Sequence, residues 1–133
     1  MSEVRLQYTH RQDSKIFIQA EVDTTESGHE RCSFLLDTGA AFSVLFFLAA
    51  DDVRPGEVVK PYSTVIRGCE FDGHLISVTL RFSFNSESIE LTAPAFMPDD
   101  IHTEIPNFLG MSHLGQLNRF CVHPSQHVVL LED

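Results

Sequence analysis

Basic residues are scarce in this chain. Nine Lys and Arg stand against nineteen Asp and Glu, for a net charge of −10. The few cations are scattered, so no electrostatic footprint for nucleic acid exists and none is expected as a partner. The same negative field favours neutral or basic substrate segments. Tryptophan is absent, and eleven Phe within a 43% hydrophobic composition fill the core where aliphatic residues leave gaps. The longest apolar run, residues 44–50, is too short to span a bilayer. The opening Met-Ser-Glu-Val-Arg lacks the apolar stretch of a signal peptide, so a cytoplasmic protein with no membrane segment is expected. Three cysteines, Cys32, Cys69 and Cys121, are odd in number and widely spaced, which fits buried free thiols in a reducing compartment. Also missing are a phosphate-binding Gly loop, internal repeats, and any nucleophile-elbow context around Ser43 or Ser112. The length of 133 residues fits a single domain, 1–133, with a modest core.

What is present reads as an all-β domain of short strands. Val4, Leu6 and Tyr8 alternate with polar residues as a half-exposed strand does. A strand at 16–22 and a turn at 24–28 lead into the next strand. Residues 46–52 fit either helical turns or continued strand, and the Pro-Gly pair marks a turn at 53–57. A hairpin is expected about residues 85–87, a surface loop at 97–107, and two strands at 120–122 and 128–131 around a turn.

The most informative stretch is Leu35-Leu36-Asp37-Thr38-Gly39-Ala40-Ala41-Phe42-Ser43-Val44-Leu45. An apolar strand ends on Asp-Thr-Gly, and a second apolar strand resumes after small residues. A carboxylate at the tip of a buried strand is costly unless it is hydrogen-bonded or does chemistry. Thr38 supplies a hydroxyl, Gly39 lets the backbone approach the carboxylate, Ala40 is small enough to sit beneath a substrate, and Ser43 is placed to donate toward Asp37. The competing reading is a hairpin whose Asp caps a turn. Apolar flanks on both sides oppose it, because an ordinary hairpin tip is exposed and its strands alternate. A second motif follows at Asn107-Phe108-Leu109-Gly110-Met111-Ser112-His113-Leu114: a short apolar strand with Leu109 inward, a glycine for close backbone packing, and a helix over residues 111–117.

Together these two motifs resemble the single-lobed, retropepsin-like aspartic proteases, over residues 14–132. The resemblance implies an all-β acid-protease barrel with one short C-terminal helix. It also implies peptide hydrolysis by a dyad to which each subunit of a homodimer gives one Asp37. In this family the hairpin between the motifs closes over a polypeptide substrate. Its counterparts here are Arg67, Gly68, Cys69 and Gly73, with both glycines as hinge or tip; an ordinary hairpin with an Asp72-Gly73 turn is the plainer alternative. Two departures stand out. The middle of that hairpin holds Cys69, Glu70 and Phe71 where relatives are richer in glycine, and Met111-Ser112 replace the Arg-Asp or Arg-Asn brace of retroviral members. They leave a second function open, a non-catalytic module for dimerisation or peptide binding. The terminal strands are candidates for subunit contact, or else each closes its own subunit's sheet.

Rival chemistry is weaker. Cys121, His123 and His127 have superficial metal-ligand spacing, but a tetrahedral site needs a fourth ligand and Pro124 signals a turn. Cys32 lies mid-strand with no motif around it. No metal and no cofactor are expected.

Overall fold

A computed structural model describes residues 2–10, 15–26 and 28–133. Its strands are β1 (Glu3–Gln7), β2 (Thr9–His10), β3 (Ile16–Thr24), β4 (Gly28–Leu36), β5 (Ser43–Val44), β6 (Pro55–Ile66), β7 (Cys69–Phe84), β8 (Glu87–Pro98), β9 (Asn107–Leu109), β10 (Arg119–His123) and β11 (Val128–Glu132). The fold is all-β with one short helix, α1 (Met111–Leu114).

An eight-stranded sheet runs β2-β3-β4-β9-β5-β8-β7-β6, and a further pairing of β3 with β7 rolls it into a barrel. At that seam Glu21 lies opposite Arg81 and Val22 opposite Leu80. The Arg81 guanidinium donates to the Glu21 carboxylate at 2.7 Å, so the closing pair is also an ion pair. Strand β9 slots between β4, which it meets in parallel, and β5, which it meets antiparallel. The residues joining β4 to β5 must therefore cross the end of β9.

Period-two alternation splits the barrel wall between two apolar clusters. Phe34, Ile76, Val78, Leu80 and Leu109 point into the main core with Ile18 and Val22. Their chain neighbours Leu35, Leu75 and Phe108 point the other way, where they join Phe17, Val44, Phe46 and Phe96 in a second, smaller cluster. The second sheet, β1-β11-β10, is built from both chain ends. Val4, Leu6, Val129 and Leu131 on it are buried in this chain's own core. The terminal strands thus pair with each other, with Val4 opposite Leu131 and Leu6 opposite Val129, and so close this chain's own sheet.

Several local expectations are corrected. The helix spans one turn, not 111–117, because Gly115 ends it and donates back to the Met111 carbonyl at 2.8 Å. Residues 46–52 resolve into bends and a 3₁₀ turn at Ala50–Asp52. Pro55 and Gly56 do not form a free turn but open β6, with Gly56 at φ +74° beside a bulge. The turn read at 24–28 includes Ser27, which lies outside the described residues. Glu87 already pairs with Phe84, so the hairpin tip is Asn85-Ser86. Met97 is buried and, with Pro98, completes β8, which shortens the expected surface loop. Cys32 is buried, but Cys69 is exposed and Cys121 half-buried, so burial of all three thiols does not hold.

Strands β6 and β7 project beyond the barrel as a long hairpin. Its tip is Arg67-Gly68, flanked by the pair Ile66 and Cys69. Both tip residues have positive φ, 52° and 80°, the pattern of a type I′ turn. Gly73 is not the tip: it lies inside β7, opposite Tyr62 and Pro98. A Cβ there would meet the Met97 carbonyl oxygen at 2.2 Å. Gly73→Ala is expected to force β7 from β8 and cost about 1–3 kcal/mol, read from urea unfolding; unchanged stability would contradict this close approach.

Candidate active site

Asp37 follows the last residue of β4, where the chain leaves the sheet. Its N–H donates to the Leu109 carbonyl at 3.0 Å, which extends the β4–β9 ladder by one rung and fixes where the side chain begins. Asp37 as a residue is half-buried, and its Oδ1 accepts the Gly39 N–H at 3.0 Å on the exposed side of the loop. A Cβ on residue 39 would sit 3.3 Å from that same oxygen, so glycine keeps the approach open. Ala40 closes the turn by donating to the Asp37 carbonyl at 3.2 Å, and its own carbonyl accepts the Met111 N–H at 2.8 Å. Thr38 is exposed beside the carboxylate.

The loop is tied down again at Ser43, which is fully buried. Its hydroxyl does not reach Asp37, as the sequence reading expects. The Gly110 N–H donates to Ser43 Oγ at 3.0 Å, and His113 Nδ1 lies 2.8 Å from the same oxygen. His113 Nε2 is 3.0 Å from the Val78 carbonyl, which can only accept, so Nε2 carries the proton. Nδ1 is then an acceptor, and the one hydroxyl proton of Ser43 is committed to it. Ser112 adds a further tie by accepting the Ser43 N–H at 3.0 Å. Gly110 makes room for all this: a Cβ on it would meet the Phe42 carbonyl oxygen at 2.4 Å. Leu109, fully buried, anchors the strand behind it.

Between this loop and the β6–β7 hairpin lies a cleft of about 710 Å³, within the usual size range of a binding site. Leu35, Val44, Phe96 and Phe108 form an apolar floor. Tyr62, Thr64 and Ile66, alternating along β6, form the hairpin wall. Tyr62 locks that wall to the floor by edge-to-face contacts with Phe42 and Phe96, at centroid distances of 5.4 and 5.7 Å. Asp37 is the one carboxylate among the described lining residues, and Lys15 and Arg67 are the cations.

The structure therefore brings Asp37, Gly39, Ala40 and Arg67 to one cleft, while Ser43, Leu109 and Gly110 stand behind it as its frame. Gly68 and Cys69 are at the hairpin tip but do not line the cleft, and Gly73 is at the hairpin's base. Sequence reasoning missed His113, Ser112 and Asn107. Asn107 is buried, and its Oδ1 accepts the Phe46 N–H at 2.9 Å, which pins the chain leaving β5. The available signal was polar residues on both sides of Phe108-Leu109-Gly110, which a segment filling only a core would not need. Burial, aided by the Glu30 charge, pushes the Cys32 thiol up to about 12, which keeps it protonated and inert. No group of three or more His, Cys, Asp and Glu able to hold a metal occurs among the described residues. His127 instead stacks on Tyr8 at 5.5 Å. Among the described residues no helix is long and apolar enough to cross a membrane.

No protein-family model matches the sequence, and no curated protein matches it. The fold does match a solved one. The crystal structure of a retropepsin-like aspartic protease from Rickettsia conorii superposes with a TM-score of 0.55 over 97% of this chain and 89% of that one, at 15% sequence identity. The chain thus has the retropepsin-like fold.

The His113 network makes this frame sensitive to acid. Burial lowers the His113 pKa to about 4 from 6.5, only partly opposed by the Val78 hydrogen bond. Between these values the unfolded chain binds a proton that the folded chain refuses. Stability from this group is therefore full above pH 6.5 and is lost as pH falls toward 4. The loss is on the order of 3 kcal/mol. Urea unfolding at pH 7 and pH 4 should show it, and His113→Gln should flatten the difference; an equal pH slope in parent and variant would contradict the assignment.

Proposed function

We propose that this chain is an aspartic endopeptidase that hydrolyses polypeptides as a homodimer, each copy contributing one Asp37. The observation that carries the reading is the position of Asp37: its backbone N–H is held by the Leu109 carbonyl, and its carboxylate accepts the Gly39 N–H and faces a cleft roofed by a hairpin. The retropepsin-like fold supports it as well.

Peptide hydrolysis by this route needs two carboxylates about 3 Å apart that share one proton. The ionised one takes a proton from water as the water oxygen attacks the scissile carbonyl carbon. The protonated one donates to the carbonyl oxygen, and a tetrahedral diol results. Collapse of the diol passes a proton to the amide nitrogen as the C–N bond breaks, and the pair again holds a single proton. Asp37 is the one carboxylate among the described lining residues, so in this reading the second comes from another copy across a two-fold axis. Thr38 and Gly39 are exposed on the loop that would meet this copy.

A second reading, a peptide-binding or dimerisation module without catalysis, is favoured by Met111 and Ser112. Met111 is exposed, and Ser112 is engaged with Ser43 within the chain rather than reaching outward. Asp37→Asn separates the two readings. The amide is isosteric but cannot take the proton from water, so cleavage of a responsive peptide should fall at least about 10³-fold with the fold retained. Cleavage at the parental rate would overturn the assignment. Specific activity should also fall on dilution, in step with the dimer fraction measured by light scattering on the same samples. Full activity from a monomer would exclude the shared dyad.

A further inference from the structure

We infer that Arg67, at the tip of the hairpin, selects polypeptides carrying an acidic side chain beside the segment held over Asp37. The inference rests on the proposed reading of the cleft as a polypeptide site, and goes beyond it in naming what the polypeptide carries.

The first argument is local charge. The chain as a whole is strongly acidic at −10, yet the described cleft lining holds two cations, Lys15 and Arg67, against Asp37 alone. A dyad sharing one proton would leave each Asp37 with half a charge. The described lining thus does not share the acidity of the whole chain, and the steering expected from net charge alone, toward basic segments, does not describe its mouth.

The second is the state of the Arg67 side chain. It makes no hydrogen bond or ion pair with any described residue, although Glu70 lies across the hairpin, paired with Val65. An unpaired guanidinium presents a planar fork of donors that matches a carboxylate with two parallel hydrogen bonds.

The third is the backbone. Arg67 has φ 52°, in the left-handed region, at the first central position of a two-residue hairpin turn. Asn, Asp or Gly satisfies that position with less strain. An arginine held there is poorly explained by the turn itself and is accounted for by what its side chain does in the cleft. The rest of the lining is apolar floor and hairpin wall, which reads size and shape, so charge selection falls to the cleft's cations.

Fluorescein-labelled decapeptides with an apolar centre test this. Glu, Gln or Lys is scanned through the flanking positions at pH 6, and binding to Asp37→Asn protein is read by fluorescence polarisation. At the best position the Glu peptide is expected to bind about five- to tenfold tighter than its Gln counterpart, an advantage that fades with added salt. Adding Arg67→Asn, a substitution the turn favours, should abolish the preference. Adding Arg67→Glu should invert it toward Lys. Equal binding of all three peptides, no binding at all, or a preference that survives Arg67→Asn overturns the inference. Cleavage of the same peptides by the parent and by Arg67→Glu keeps the two readings apart. Acid-selective binding without cleavage supports the role of Arg67 and removes the protease. Cleavage indifferent to charge removes the role of Arg67 and keeps the protease.

Discussion

Everything at this site depends on one backbone junction, the crossing of the 37–43 loop over the end of β9. Two chain segments about seventy residues apart meet there, and Ser43 and His113 alone are separated by 70 positions. Gly110 permits the contact, because any side chain on it would strike Phe42. Once in contact, the segments exchange bonds along their length: Asp37 to Leu109, Met111 to Ala40, Gly110 to Ser43, and Ser43 to Ser112. A loop held at so many points is not a loop in the energetic sense. Moving Asp37 would break several buried hydrogen bonds together, each costly to leave unmade. Pre-organisation of the carboxylate is therefore a property of the fold's crossing and not of the Asp-Thr-Gly sequence alone.

The cleft follows from the same topology. Strand β7 is long enough to serve twice: its Leu75–Phe82 portion supplies Ile76, Val78, Leu80 and Phe82 to the barrel core, while its start pairs with β6 in the projecting hairpin. Val78 also accepts the His113 hydrogen bond, so the strand that carries the roof is bonded to the frame that carries Asp37. Gly73 marks the change of role, where β7 and β8 come too close for a side chain. The roof is thus fixed at its base and pinned midway by Tyr62, and only its tip extends freely.

Much of this was legible in the sequence wherever a feature is local. Alternation at Val4, Leu6 and Tyr8 gives a strand with one buried face, and Asp-Thr-Gly between apolar runs gives a strand end that brings a carboxylate to a cleft. What failed was set by partners distant along the chain. Ser43 looks free to serve Asp37 until Gly110 and His113 arrive to claim its hydroxyl. Gly73 reads as a turn beside Asp72, yet its conformation is ordinary and only the nearness of Met97 requires glycine. Met97-Pro98 reads as the start of a loop, but cross-strand pairing with Gly73 and His74 keeps it in β8. Apolar chain ends read equally as a surface for another subunit or as strands of their own sheet, because nothing in either end reveals that they pair with each other.

That last difference bears on assembly. In this chain the terminal strands pair with each other, and Val4, Leu6, Val129 and Leu131 lie in the core. Leu109, Gly110, Met111 and Ser112 of the same chain hold the Asp37 loop through hydrogen bonds. In the proposed reaction a partner would add the second carboxylate, so activity would follow the assembled fraction. For that assembly, the loop bearing exposed Thr38 is the surface that the chemistry requires to be included. A chain alone would hold half a dyad, so concentration would govern activity.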